Sequence, residues 1–188
     1  MKKLLIAMLA TGVLSACSAT PDKSSQASSQ SEAKAHEAQN TDLYVVMDKR
    51  MNVFYDPSLY KEYLQHGETP YRRTFIGAGP DGQTVVYGLT GADKKKSTSP
   101  GEEMMSGKMA AAEDFYGEVM EKDHNRYYVF TSWDTFDEFV KLHVDNFRYS
   151  DIGGGPNGET VVYVLTKKTS KQKPVEAIKK FKAMHGMN

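Results

Sequence analysis

The chain has 188 residues and carries 24 basic and 24 acidic side chains, so it sets up no global field for nucleic acid. Its single cysteine excludes any internal disulfide, and the folded part must hold together by its core alone. Its hydrophobic residues, 39 % of the total, are concentrated at the extreme N-terminus and beyond residue 41, which separates a polar stretch from a part able to fold.

Residues 1–16 read as an export signal. Lys2 and Lys3 precede a short apolar run, Leu4 to Leu14, that cannot span a bilayer as a helix. The run closes on Leu14-Ser15-Ala16-Cys17. These residues resemble the lipobox of bacterial lipoproteins, and the resemblance implies cleavage before Cys17 and acylation of that cysteine. Ser18 follows where an aspartate would favour the inner membrane, so the resemblance implies a lipid anchor in the outer membrane, facing the periplasm. Losing Lys2 and Lys3 leaves 22 basic and 24 acidic groups, a charge near −2. Residues 17–41 comprise the lipidated cysteine and a Ser-, Ala- and Gln-rich stretch that cannot bury enough surface to fold; a flexible tether of this length reaches roughly 25–30 Å.

The rest is organised by an internal repeat at an offset of 76 residues. Phe75 to Thr90 (FIGAGPDGQTVVYGLT) matches Asp151 to Thr166 (DIGGGPNGETVVYVLT), and the correspondence runs back to Arg50 and Arg126. The first unit, residues 42–90, begins with β-rich runs at 43–47 and 51–55 around a turn. A helix follows, capped by Asp56, with Pro57 in its first turn and Gly67 as its stop. Strands near 71–77 and 83–90 complete it. The connector, residues 91–113, predicts a helix over 102–112. The second unit, residues 114–166, predicts strands near 116–121 and 127–131, a helix capped by Ser132 or Asp134, and strands near 147–153 and 159–166. Residues 167–188 predict a basic helix from Pro174 to Met184 with an apolar side of Ala177, Ile178, Phe181 and Met184. The expected fold class is α+β: two tandem ββαββ repeats packed as one pseudo-symmetric domain, with peripheral helices.

Chemistry is sparse. Gly77 to Gly82 and Gly153 to Gly158 both spell G-x-G-x-x-G, but a strand follows where phosphate binding needs a helix start, so both read as β-hairpin loops. Arg72 and Arg148 recur in both units. They suit an anion or partner site through their bidentate forks, or sheet-to-helix pairs with Glu62 and Glu138. Met104, Met105 and Met109 fall close together on the connector helix, and Met184, His185 and Met187 end the chain. Thioether with imidazole is a soft set that would suit Cu(I), and the same methionines would equally fill a core or line a partner surface. The seven lysines and one glutamate of residues 167–188 suit an anionic surface or a solvated helix. No nucleophile, base and orienter assemble in the sequence, so no enzyme is expected.

An acylated cysteine, a polar tether and two β-rich units with one core helix each resemble, in architecture, the copper-chaperone lipoproteins of nitrous oxide reductase assembly. That resemblance implies handling of copper, and apart from copper no cofactor is expected. The leading expectation is a non-enzymatic binding module, held to the membrane by its lipid, that engages a protein or envelope-surface partner and no nucleic acid. The alternative is a soft-metal chaperone of the periplasm.

Overall fold

The computed structural model describes residues 41–187. The export signal, Cys17 and nearly all of the tether lie outside the described residues. In chain order the elements are β1 (Leu43–Met47), β2 (Arg50–Phe54), α1 (Pro57–His66), β3 (Tyr71–Phe75), β4 (Thr84–Leu89), α2 (Pro100–Met105), β5 (Gly117–Glu121), β6 (Arg126–Phe130), α3 (Trp133–Leu142), β7 (Phe147–Asp151), β8 (Thr160–Leu165) and α4 (Val175–Met184). The class is α+β, and all eight strands join one mixed sheet in the order β3-β4-β2-β1-β5-β6-β8-β7.

The pairing directions fix where the connections fall. The pairs β1–β2, β3–β4, β5–β6 and β7–β8 are antiparallel. The pairs β2–β4, β1–β5 and β6–β8 are parallel. The odd-numbered strands therefore run one way and the even-numbered strands the other. All four hairpin connections lie at one end of the sheet, and β1 starts from the opposite end.

Helices cover both faces, which explains why the central strands are apolar on both sides. Leu43, Val45 and Val119 pack with Met104 of α2 and with Phe136, Phe139 and Val140 of α3. Tyr44, Val46 and Met120 point the other way, onto Leu59, Tyr60 and Tyr63 of α1 and Ala177 and Phe181 of α4. The second face is rich in tyrosine, with Tyr116, Tyr127 and Tyr163 in the same cluster.

Local signals set the element ends. Asp56 Oδ1 accepts from the backbone N–H of Ser58 (2.8 Å) and Leu59 (3.0 Å), and Gly67 closes α1 in the left-handed conformation (φ 76°). Ser132 precedes α3 without a side-chain cap bond, and His143 closes that helix with φ 54°. The connector helix is shorter than the expected 102–112. It runs from Pro100 to Met105, because Ser99 caps its start and the chain turns at Ser106 and Gly107, the latter at φ 72°. The glycine-rich loops do join antiparallel strands, as hairpins should.

Candidate functional site

The residues singled out in sequence scatter over the fold. Arg72 lies on β3 and Arg148 on β7, the two opposite edges of the sheet, so a single anion site cannot draw on both. Nor does Arg148 reach Glu138: its Nη1 donates to both carboxylate oxygens of Asp145 (3.0 and 2.9 Å). On β3 the residue that bridges to a helix is Arg73, which pairs with Glu102 and donates to the carbonyl of Lys96 (2.6 Å). The two methionine groups are split by the sheet. Met104 is fully buried and acts as core packing, and Met105 and Met109 pack against the same face. Met184 and Met187 pack on the tyrosine-rich face. A metal site built from all six residues is therefore not assembled.

Met184 and His185 do converge with a third soft or nitrogen donor. They line a pocket of about 450 Å³ at the hairpin end, together with Met120 of β5, Tyr127 of β6 and Glu159 of the β7–β8 loop. Alternation along β5 places Met120 there: Glu118 and Met120 share the tyrosine-rich side, while Val119 faces α3. α4 delivers Met184 from its last turn and His185 from its C-cap. Burial acts to raise the Glu159 carboxyl, but hydrogen bonds from the Asn157 backbone (2.8 Å) and side chain (3.1 Å) outweigh it. Glu159 is therefore held below the usual carboxylate range.

Beneath the pocket is a buried polar network. Glu118 is 0 % exposed. Its Oε2 accepts from the Tyr60 hydroxyl (3.0 Å) and contacts His185 Nε2 (2.9 Å), and its Oε1 accepts from the Tyr116 hydroxyl (2.5 Å). Burial first, and the Glu118 charge second, push both phenols well above their usual range, so they stay protonated donors. The His185 side chain is only 6 % exposed and is wedged among Phe181, Tyr127 and Tyr60, with ring centroids at 4.4, 5.0 and 6.3 Å.

Two other clusters sit at or near this end. A second pocket, about 550 Å³, lies on the opposite face and is lined by Met51, Phe75, Tyr87, Met105 and Val140. Between the two, His143 Nε2 stands 3.3 Å from Asp81 and His124 Nδ1 stands 2.8 Å from Glu121. Among the described residues no three His, Cys, Asp or Glu side chains gather to hold a metal ion, which leaves the mixed thioether–imidazole pocket as the candidate. Its donor chemistry fits a soft ion such as Cu(I), with Met120, Met184 and His185 as the residues that would hold it.

Sequence reasoning named Met184 and His185 but missed Met120, Glu118, Tyr60 and Tyr116. One signal was present: Gly117-Glu-Val-Met-Glu121 alternates so that an acid falls among apolar neighbours on a buried strand. No helix among the described residues is long and apolar enough to cross a membrane. No family model matches the chain, and no curated protein or solved structure is significantly similar to it.

Proposed function

We propose that this chain is a lipid-anchored protein of the bacterial envelope, acylated at Cys17, that binds copper as Cu(I) between α4 and the sheet. The observation that carries the reading is the meeting of Met120, Met184 and His185 in one pocket whose imidazole is already held by a carboxylate. Metal-ligating histidines usually donate their second ring N–H to such a partner. Bound there, the ion would be held by two thioethers and an imidazole, soft donors that favour the reduced state. The fold is read as a duplicated ββαββ unit. Supporting this are the mirrored strand order about β1–β5 and the placement of α1 and α3 on opposite faces, as a two-fold axis parallel to the strands would require.

Titrating Cu(I) against a competing chelator tests the proposal. Saturation at one equivalent is expected, with affinity reduced at least tenfold in Met184→Leu and His185→Leu. Equal binding by those variants, or no binding at micromolar free ion, would remove it.

Engagement of a protein partner is a second reading, favoured by one observation. Ile76 and Ile152 are 90 % and 87 % exposed, each in a hairpin loop at the same end of the sheet. Cross-linking in envelope membranes tests it: a defined adduct should form with the native chain and disappear in an Ile76→Asp, Ile152→Asp chain that still folds.

A further inference from the structure

A fully buried carboxylate needs a reason, because desolvating it costs several kcal/mol that its contacts must offset. The fold itself does not demand one at Glu118. In the β5–β6 hairpin Glu118 stands opposite Val129, and in the β1–β2 hairpin the residue opposite Val53 is Val45. Val53 and Val129 match at the 76-residue offset, so an apolar side chain fills the corresponding place without difficulty. The acid on β5 therefore answers to something local, and its contacts name it.

The protons can be assigned from the network. Tyr60 and Tyr116 are both neutral phenols and both sit at hydrogen-bond distance from Glu118. An ionised carboxylate only accepts. Its third contact is His185 Nε2 at 2.9 Å, so Nε2 is the ring nitrogen already engaged, and beside an acceptor it takes the donor role. The opposite assignment would put a proton on Oε2 and make that oxygen a weaker, uncharged acceptor for Tyr60. A neutral imidazole protonated on Nε2 carries its lone pair on Nδ1. The ring cannot easily turn over to exchange the two nitrogens, since Phe181, Tyr127 and Tyr60 pack around it.

We infer that Glu118 is a positioning residue: with Tyr60 and Tyr116 it fixes His185 in the Nε2–H form and offers Nδ1, beside Met120 and Met184, as the ligand atom. This rests on the copper reading of the pocket. It also gives α1, which contributes Tyr60, a part in a site otherwise built from β5, β6, the β7–β8 loop and α4.

The experiment uses the full acylated chain in detergent micelles with ¹⁵N-labelled histidine. In the metal-free protein His185 is expected with Nε2 protonated and Nδ1 bare. In Glu118→Gln the tautomers should mix and Cu(I) affinity should fall about 10–100-fold, with the far-ultraviolet circular dichroism unchanged. A proton on Nδ1 in the unaltered protein overturns the inference, and this measurement needs no variant should Glu118→Gln fail to fold. A folded Glu118→Gln chain that binds Cu(I) as tightly as the native one also overturns it. If the native chain binds no Cu(I) but shows the Nε2–H form, lost in Glu118→Gln, the copper reading falls and the orienting role of Glu118 stands.

Discussion

A β-carbon added at Gly117 would lie 2.6 Å from Phe136 Cδ2 and 2.9 Å from Phe115 Cζ, both rings held in the core. Alanine ordinarily improves a strand position over glycine, but here there is no room for it. Gly117→Ala should destabilise by about 1–3 kcal/mol, read as a lower denaturant midpoint with an unchanged slope. The buried phenols make a second prediction. Burial is the main cause that raises Tyr44, Tyr60, Tyr116, Tyr127 and Tyr163, with neighbouring carboxylates adding to it, and Tyr87 is pushed up to about 12. For a group whose folded pKa lies above its unfolded value near 10, the stabilising contribution is complete below about pH 10 and is lost as pH rises through the folded value. Thermal stability should therefore drop above pH 10. Phenolate absorbance from these residues should appear together with loss of circular dichroism; phenolate appearing first in a still-folded chain would contradict the buried cluster. Residue-scale detail of this kind was only partly legible. Met184 and His185 could be named from softness and spacing. Glu118 could not, because an acid on a strand usually faces water and only the pairing of β1 with β5, under α1 and α4, encloses it.

At the scale of elements, two helices of equal length begin in different ways. Asp56 makes two side-chain bonds to the first turn of α1, and Ser132 makes none at α3. Asp56→Ala should cost about 1 kcal/mol, while Ser132→Ala should change stability by less than about 0.5 kcal/mol, both measured by chemical denaturation. The strands and the two core helices were readable because their signals are local: β-rich runs between turn residues, apolar spacing along both helices and, at α1, a Pro-containing first turn and a glycine stop. The connector helix was overdrawn because Met104 to Ala112 is rich in good helix formers, and the propensity of that run gave no weight to Gly107, whose left-handed backbone ends the helix early. The choice of strand neighbours was not readable at all. Parallel contacts between β2 and β4 or β6 and β8 depend on how α1 and α3 cross the sheet, and no local pattern records that.

For the whole molecule, the decisive contact is the parallel pairing of β1 with β5, which joins residues 42–113 to residues 114–187 through strands buried on both faces. The join is reinforced at the strand starts and on the tyrosine-rich face. Asp42 accepts from the backbone N–H of Tyr116 (3.1 Å) and pairs with Lys180 of α4 (3.1 Å), and Tyr60 of α1 reaches Glu118. If the chain were split between residues 113 and 114, each piece would expose a strand edge, and the tyrosine-rich cluster would lose one of its two helices. Pieces of about 70 residues without disulfides have little stability in reserve. Neither piece alone should give a cooperative thermal transition, and mixing them should restore one, along with the pocket that Lys61 and Leu64 of α1 line together with Met120 and His185. The experiment separates two pictures of these two halves. If residues 42–113 unfolded cooperatively with more than about 3 kcal/mol of stability, each unit would be a domain in its own right and the β1–β5 contact an accessory. Failure of both pieces, with recovery on mixing, would mean that neither unit closes its own core, so the site is a property of the pair.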